Sequence, residues 1–282
     1  MKTFQTRVLK WYAANKRDLP WRQTDDPYHI LVSEVMLQQT QVDRVIPKYQ
    51  AFLAAFPTIE HLAAAKTSNV ISLWSGLGYN RRAVYLQKAA QEIVARGGNV
   101  PDAEEALQQL SGVGVYTSRA VLCFAFHRDV PVIDTNIRRV FSRYFFEGKG
   151  SVEEIDARVA RSVPRGNGTA WNNALMDFGS ILCTAAAPAC GVCPVNSTCA
   201  ACKVGNQERY LRIASPQKKF KDSRRQYRGM VLRMLKDAPE QGIVVQMLQQ
   251  GMKKSKKFID SIIDELEKDS LVVRKKEYVS LP

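Results

Sequence analysis

The chain has 282 residues, is 45% hydrophobic and carries a formal net charge of +14. That length predicts one large domain or two smaller ones, and that charge favours a polyanion such as nucleic acid as partner. No apolar run approaches the roughly 20 residues that a spanning helix needs. The opening MKTFQTRVLKWY has neither a continuous apolar segment nor a small-residue cleavage site, so the expected compartment is the cytoplasm, with no membrane partner.

Up to residue 182, apolar residues recur at helical spacing with little period-two alternation, so the predicted class is mainly α. A first amphipathic helix covers residues 3–14 and is followed by the polar connection NKRDLPWRQTDD. A second starts at Asp26-Pro27, where Asp26 suits the N-cap and Pro27 the first turn, and is expected to reach about residue 46. Helical patterns then cover 48–55, 59–64, 67–73, 81–96 and 103–110, with breaks at SGLGYN and RGGNVPD. The helix beginning near Tyr116 holds the apolar run VLCFAF, whose Cys123 reads as a core residue. An extended VPVI precedes Asp134, and the helix NIRRVFSRYFF follows it. Another helix spans 152–163, RGNG is a loop, and WNNALMDFGSILC is a helix that delivers Cys183. Beyond the cysteine-rich segment, residues 215–223 read as a linker of Pro, Ser and charge. Residues 224–282 predict three helices and two closing strands, SLVVRK and EYVSL, in a small winged-helix-like module. Residues 216–282 hold 16 Lys/Arg against 9 Asp/Glu, so under a quarter of the chain carries half of the net charge.

Four groups of residues carry chemistry. Gly112-Val113-Gly114, between two helices, permits close backbone approach, and the helix start that follows suits a phosphate; a plain helix–helix corner fits the same residues. Asp134 in VIDTN suits an N-cap, but its helix-length distance from that turn returns it to the same face. Glu34 has Ile30, Leu31, Leu37 and Gln38 as its helical neighbours, and burial among them would raise its pKa, as a general acid requires. Finally, Cys183-x6-Cys190-x2-Cys193-x5-Cys199 places four thiols where they can close on one metal centre, either zinc or an iron–sulfur cluster. Cys202 is left outside that set.

Together LSGVGVYTS, VIDTN and the cysteine spacing resemble the helix-hairpin-helix DNA glycosylases that carry a [4Fe–4S] cluster, over residues 1–202. Within that family SEVMLQQTQV, LPWR and GLGY are similar to the A/G-mismatch adenine glycosylases (the MutY type). The resemblance implies a two-lobed helix-hairpin-helix fold over residues 1–214 and a cluster held by Cys183, Cys190, Cys193 and Cys199. It implies a monomer acting on mismatched or damaged duplex DNA at a bacterial or archaeal nucleoid. The target nucleotide would be flipped out of the stack. Glu34 would protonate the adenine, Asp134 would stabilise the oxocarbenium-like sugar, Tyr116 would lie near that sugar, and Asn136 would position water or a carboxylate. Arg17, Trp21, Arg22 and Leu37 would line the base pocket. Gln39 and Tyr79 would wedge into the duplex, with Thr40 and Leu77 against the opposite purine, while Gln38, Gly112, Gly114, Val115 and Thr117 would also contact the DNA. Relatives that cleave the strand have lysine where Tyr116 stands; tyrosine cannot form a Schiff base, so little or no lyase activity is expected.

The chain departs from the family pattern in four places. Ser111 replaces a usual proline and Thr135 a usual glycine, the loop TAAAPA has no basic residue, and a short basic tail stands where bacterial adenine glycosylases carry a longer domain. In that tail Lys253, Lys254, Lys256 and Lys257 could meet phosphates, or form a solvated face. A thymine or uracil mismatch glycosylase on the same fold, and a non-enzymatic DNA-binding protein, are the competing readings.

Overall fold

The computed structural model of the protein describes residues 1–210, 219–239 and 241–282. Helices dominate, and none of those described is long and apolar enough to cross a membrane. The chain divides into two compact units: Met1–Ile30, Asp102–Glu104 and Gly114–Ser215 form one, and Leu31–Pro101, Glu105–Val113 and Pro216–Pro282 the other. The expected boundary at 214, and residues 215–218 of the expected linker, lie outside the described residues.

The first unit contains α1 (Lys2–Asn15), α8 (Val115–Phe124), α9 (Thr135–Phe146), α10 (Val152–Ala160), α11 (Gly168–Asp177) and the short α12 (Ala200–Lys203). Its core joins Phe4 and Val8 of α1 to Ile137, Val140 and Phe141 of α9 and to Trp171 and Phe178. Phe4 meets the Phe141 and Trp171 rings edge-on at 5.7 and 5.8 Å, which anchors the N-terminal helix. Truncating such a ring costs about 3–5 kcal/mol. A capping box between Ser151 and Glu154 starts α10. Residues 130–133, the expected extended VPVI, join no sheet, and Val132 donates its amide to Asn172 Oδ1 at 2.9 Å.

The second unit holds α3 (Val42–Ala55), α4 (Ile59–Ala64), α5 (Thr67–Trp74), α6 (Arg81–Ala95) and most of α2 (Pro27–Leu37). The expected helix over 27–46 breaks at Leu37 and restarts at Val42, continuing through Pro47. Gln39 adopts a left-handed φ of 55°, and Arg82 takes the carbonyls of Val35 and Met36 that a continuing helix would use. In the same unit α13 (Arg224–Lys236), α14 (Val245–Met252) and α15 (Lys256–Lys268) pack with a three-stranded antiparallel sheet, ordered β1 (Ile243–Val244), β3 (Tyr278–Ser280), β2 (Val273–Lys275). The sequence predicts only the last two strands, because β1 is too short to show alternation. Ile71 of α5 and Val84 of α6 share one apolar core with Val231, Leu248, Ile262 and Leu266 of these helices. Ser68 N–H donates to the Pro282 carbonyl at 3.1 Å, and Arg81 pairs with Asp269 at 3.3 Å.

Between α7 (Glu104–Gln108) and α8 the chain turns at Gly112, whose φ is 77°. A Cβ there would lie 2.8 Å from Tyr85 Cβ, so glycine is required. Ser111 is held by Glu92, which accepts from its amide at 2.9 Å and its hydroxyl at 2.6 Å. That carboxylate gives the turn a fixed point where the family's usual proline is missing.

Candidate active site and cysteine loop

Asp134 is the N-cap of α9, and both of its oxygens are engaged. Oδ1 accepts the Ile137 amide at 2.7 Å, and Oδ2 accepts Asn136 Nδ2 at 2.7 Å. Burial pushes its carboxyl above the usual range; the Ile137 amide, the Asn136 amide and the Arg139 charge oppose that rise without cancelling it. The N-cap reading and the catalytic reading of Asp134 thus describe one geometry.

Asn136 is itself oriented. Its Oδ1 accepts Arg139 Nη2 at 2.8 Å. The same Nη2 donates to the Gly179 carbonyl at 2.7 Å, and Nε to the Cys183 carbonyl at 2.8 Å. Gly179 leaves no room for a side chain, since a Cβ would sit 2.8 Å from Asn136 Cβ. One turn on, Arg143 donates to the Thr184 carbonyl at 2.6 Å, to the Ala185 carbonyl at 3.1 Å and to Cys183 Sγ at 3.4 Å. Arg139 and Arg143 are 6% and 2% exposed, so these bonds lie out of water. A continuous line runs from Asp134 through Asn136 and Arg139 to Cys183. Sequence reasoning misses both arginines, because NIRRVFSRYFF reads as a helix with a charged outer face. Their i, i+3 and i+4 spacing from Asn136 and from each other is the signal that was there.

Cys183, Cys190, Cys193 and Cys199 line one cavity with Phe178 and Val140. Burial raises the Cys183 thiol, against the pull of Arg143, and pushes Cys193 up to about 11. Cys202, read as outside the set, lines the same cavity; burial and then its neighbours Cys199 and Cys190 push it up to about 12. Among the described residues no three His, Cys, Asp or Glu side chains converge on a single ion. The donor set, thiols around an apolar wall with a buried arginine on one sulfur, fits a metal–thiolate group, whose binding must release the thiol protons.

Arg17 and Arg22 line a cleft of about 610 Å3 with Tyr12, Asp129, Asn167 and Asn173, a size that admits a nucleobase. Both arginines are fastened to Asp177, which is 0% exposed: Arg17 Nε at 2.7 Å, Arg22 Nη1 and Nη2 at 2.8 and 2.9 Å. Although burial pushes the Asp177 carboxyl up, Arg22 and then Arg17 hold it below the usual carboxylate range. Asp177, like Arg139 and Arg143, is a residue the sequence does not single out. Trp21 is buried at 6% exposure.

In the second unit Glu34 is 4% exposed on α2, whose residues 30–36 are all buried. Leu37, Gln38 and Thr40 are half-buried, and Gln39 is exposed. Tyr79 is 41% exposed with a left-handed φ of 47°. One side chain holds both loops. Arg82 Nη1 donates to the Val35 and Gln38 carbonyls at 2.7 Å, and Nη2 to Thr40 Oγ1 at 3.2 Å and the Gly78 carbonyl at 3.0 Å. Burial pulls its pKa down to about 10. Beside the exposed Arg81, it has no sequence signal of its own. Around the hairpin turn, Gly112, Gly114 and Val115 are exposed and Tyr116 is half-buried. Leu77 and Thr117 are buried, 4% and 2% exposed.

Residues 32–165 match the HhH-GPD superfamily of base excision DNA repair proteins. An adenine DNA glycosylase of Mycolicibacterium smegmatis is 38% identical over 243 residues, which covers 84% of this chain and 82% of that one. An adenine DNA glycosylase of Mycobacterium tuberculosis is 44% identical over 199 residues, covering 68% and 65%. The human adenine DNA glycosylase is 37% identical over 227 residues, covering 75% and 42%, so the chain spans less than half of that protein. Among solved structures, a thermostable thymine-DNA glycosylase superposes with a TM-score of 0.68 at 32% identity, covering 72% of this chain and 96% of that one. An endonuclease III in complex with DNA superposes at 0.64 with 21% identity, covering 72% and 95%, a likeness of fold alone. The chain belongs to the adenine DNA glycosylase family, within the HhH-GPD superfamily of base excision DNA repair proteins.

Proposed function

We propose that this chain excises adenine mispaired with guanine or 8-oxoguanine from duplex DNA, by flipping out the nucleotide and hydrolysing its N-glycosidic bond. The observation that carries this reading is Asp134, a half-buried carboxylate held through both oxygens by Ile137 and Asn136, in a chain whose relatives are adenine DNA glycosylases. Bond cleavage leaves positive charge on the sugar and negative charge on the departing base. Ionised Asp134 stabilises the first, and Glu34, buried on α2, supplies the proton that neutralises the second. Tyr116 offers no amine, so the strand stays intact after base loss. The turn from Gly112 to the start of α8 grips a phosphate through backbone N–H groups. Gln38, Gln39, Thr40 and Tyr79 work at the gap left in the duplex, and the Arg17–Arg22 cleft is where the base is read.

Cys183, Cys190, Cys193 and Cys199 would hold a [4Fe–4S] cluster, which supplies a metal–thiolate staple for the 183–199 loop. Residues 1–214 form the glycosylase part in this reading, and 224–282 an added winged-helix-like module. The brown colour and visible absorption of such a cluster, against a colourless zinc protein, test the cofactor.

The function is tested by incubating the protein with duplexes carrying A:8-oxoguanine, A:G, T:G and U:G, followed by alkali. Breaks at adenine are expected; none at adenine in any duplex would remove the proposal. Breaks at T or U alone would establish the second reading, which the 32% identity to a thymine-DNA glycosylase favours.

A further inference from the structure

The C-terminal helices sort their charges unevenly. Glu265 of α15 and Asp269, which caps its C-terminus, are taken by arginines: Arg224 pairs with Glu265 at 2.7 Å, Arg228 with Glu265 at 3.3 Å and also with Asp269, and Arg81 with Asp269 at 3.3 Å. Asp260 is taken by Arg274 at 3.0 Å. At the other end of α15, Lys253, Lys254, Lys256 and Lys257 are all exposed. Among the described residues none of these four is in a salt bridge. Lysines there repel one another and oppose the positive end of the helix, a cost that only Lys254 offsets, through its ring contacts.

This basic edge is continuous with the loop that carries Tyr79. Lys254 Nζ stands 5.1 Å from the centre of the Tyr227 ring and 5.9 Å from that of Phe258. Two residues before Tyr227, Arg225 Nη1 donates to Tyr79 Oη at 3.4 Å. The Arg224 guanidinium also lies over Phe258, 5.6 Å from the ring centre. The shared core through Ile71 and Val84, the Ser68–Pro282 bond and the Arg81–Asp269 pair fix the edge relative to the loop within one unit.

We infer that Lys253, Lys254, Lys256, Lys257 and Arg225 form a phosphate-binding edge that holds duplex DNA beside Tyr79. This rests on the proposed action on duplex DNA. The basic edge places positive charge next to the one exposed aromatic of the Leu77–Tyr79 loop, so phosphates held there keep the duplex against that loop. The recognition is of backbone charge and carries no base sequence.

The test uses the full chain and a 30-base-pair A:8-oxoguanine duplex, with affinity read by fluorescence anisotropy at two salt concentrations. Lys253→Glu/Lys256→Glu/Lys257→Glu is compared with a control of equal charge change, Lys2→Glu/Lys10→Glu/Lys88→Glu, all at exposed positions. The edge variant is expected to bind at least about tenfold more weakly, with a salt slope flatter by roughly 2–3, since each phosphate contact contributes about 0.9. The control is expected to change far less, and both should melt at the wild-type temperature. Equal affinity for edge variant and wild type, or equal weakening by both triples, would overturn the inference. Adenine release by the wild-type chain, measured on the same duplex, separates that outcome from a failure of the glycosylase reading.

Discussion

Each unit sets arginine against backbone carbonyls, buried Arg139 and Arg143 in the first and half-buried Arg82 in the second, and they do different work. In the first unit Arg139 and Arg143 run inward, from the catalytic candidate Asp134 to the cysteine loop, and almost nothing of them reaches solvent. In the second, Arg82 ties together two loops that stay at the surface, Gln38–Thr40 and Gly78–Tyr79. A buried guanidinium has five donors in a fixed fork, so it can fix several irregular backbone segments at once, where a helix or sheet ladder cannot. The first group joins Asp134 to the cysteine loop; the second joins two surface loops. Substitutions should therefore separate the two.

The largest effect is expected at Asp134, the proposed catalytic carboxylate. Asp134→Asn keeps an N-cap residue of equal quality, so the melting temperature should hold while excision falls on the order of 10³-fold or more. Next come the arginines. Arg143→Met should cost roughly 2–4 kcal/mol of stability in urea melts, and should also lower the metal content per chain, since Cys183 and the 184–185 carbonyls lose their donor. Arg82→Met should cost a similar amount and leave the metal content unchanged, with the loss appearing in DNA affinity. If both variants lose metal equally, the division between the two arginine groups is wrong.

A finer test uses pH. Burial raises the Asp134 pKa, and Arg139 is among the groups that lower it. In the proposed mechanism the ionised form acts, so activity is expected to fall as pH drops through a pKa above the ordinary carboxylate value of about 3.9. Arg139→Met removes an opposing positive charge, and the acid limb should move to higher pH; a limb that stays or moves down contradicts the relay. The linked stability effect has the opposite sign. Between the unfolded and folded pKa values the native state binds more protons, so this carboxyl's contribution to stability weakens as pH rises through that window. The smallest effect expected is that of Gly179→Ala, about 1–3 kcal/mol from overpacking against Asn136, with a slower excision step.

The helices were legible because their apolar spacing is regular. Asp134, Glu34 and the cysteines were legible because each is an unusual residue for its surroundings. What sequence could not carry was orientation around buried cations. Arg139, Arg143 and Arg82 look like surface charge in one dimension, and only the chain's return past them supplies the carbonyls they bind. Asp177 is hidden for the same reason, its partners Arg17 and Arg22 lying 160 and 155 positions away. The early end of α2 follows too, since Arg82 takes carbonyls that the local pattern assigned to a continuing helix.

The most direct measurement is single-turnover release of the base from an A:8-oxoguanine duplex by the wild-type chain, by Glu34→Gln and by Asp134→Asn. The account predicts release of adenine by the wild type and near-background rates for both variants, with folding intact. Absence of adenine release by the wild type, or a variant as fast as the wild type, would contradict it.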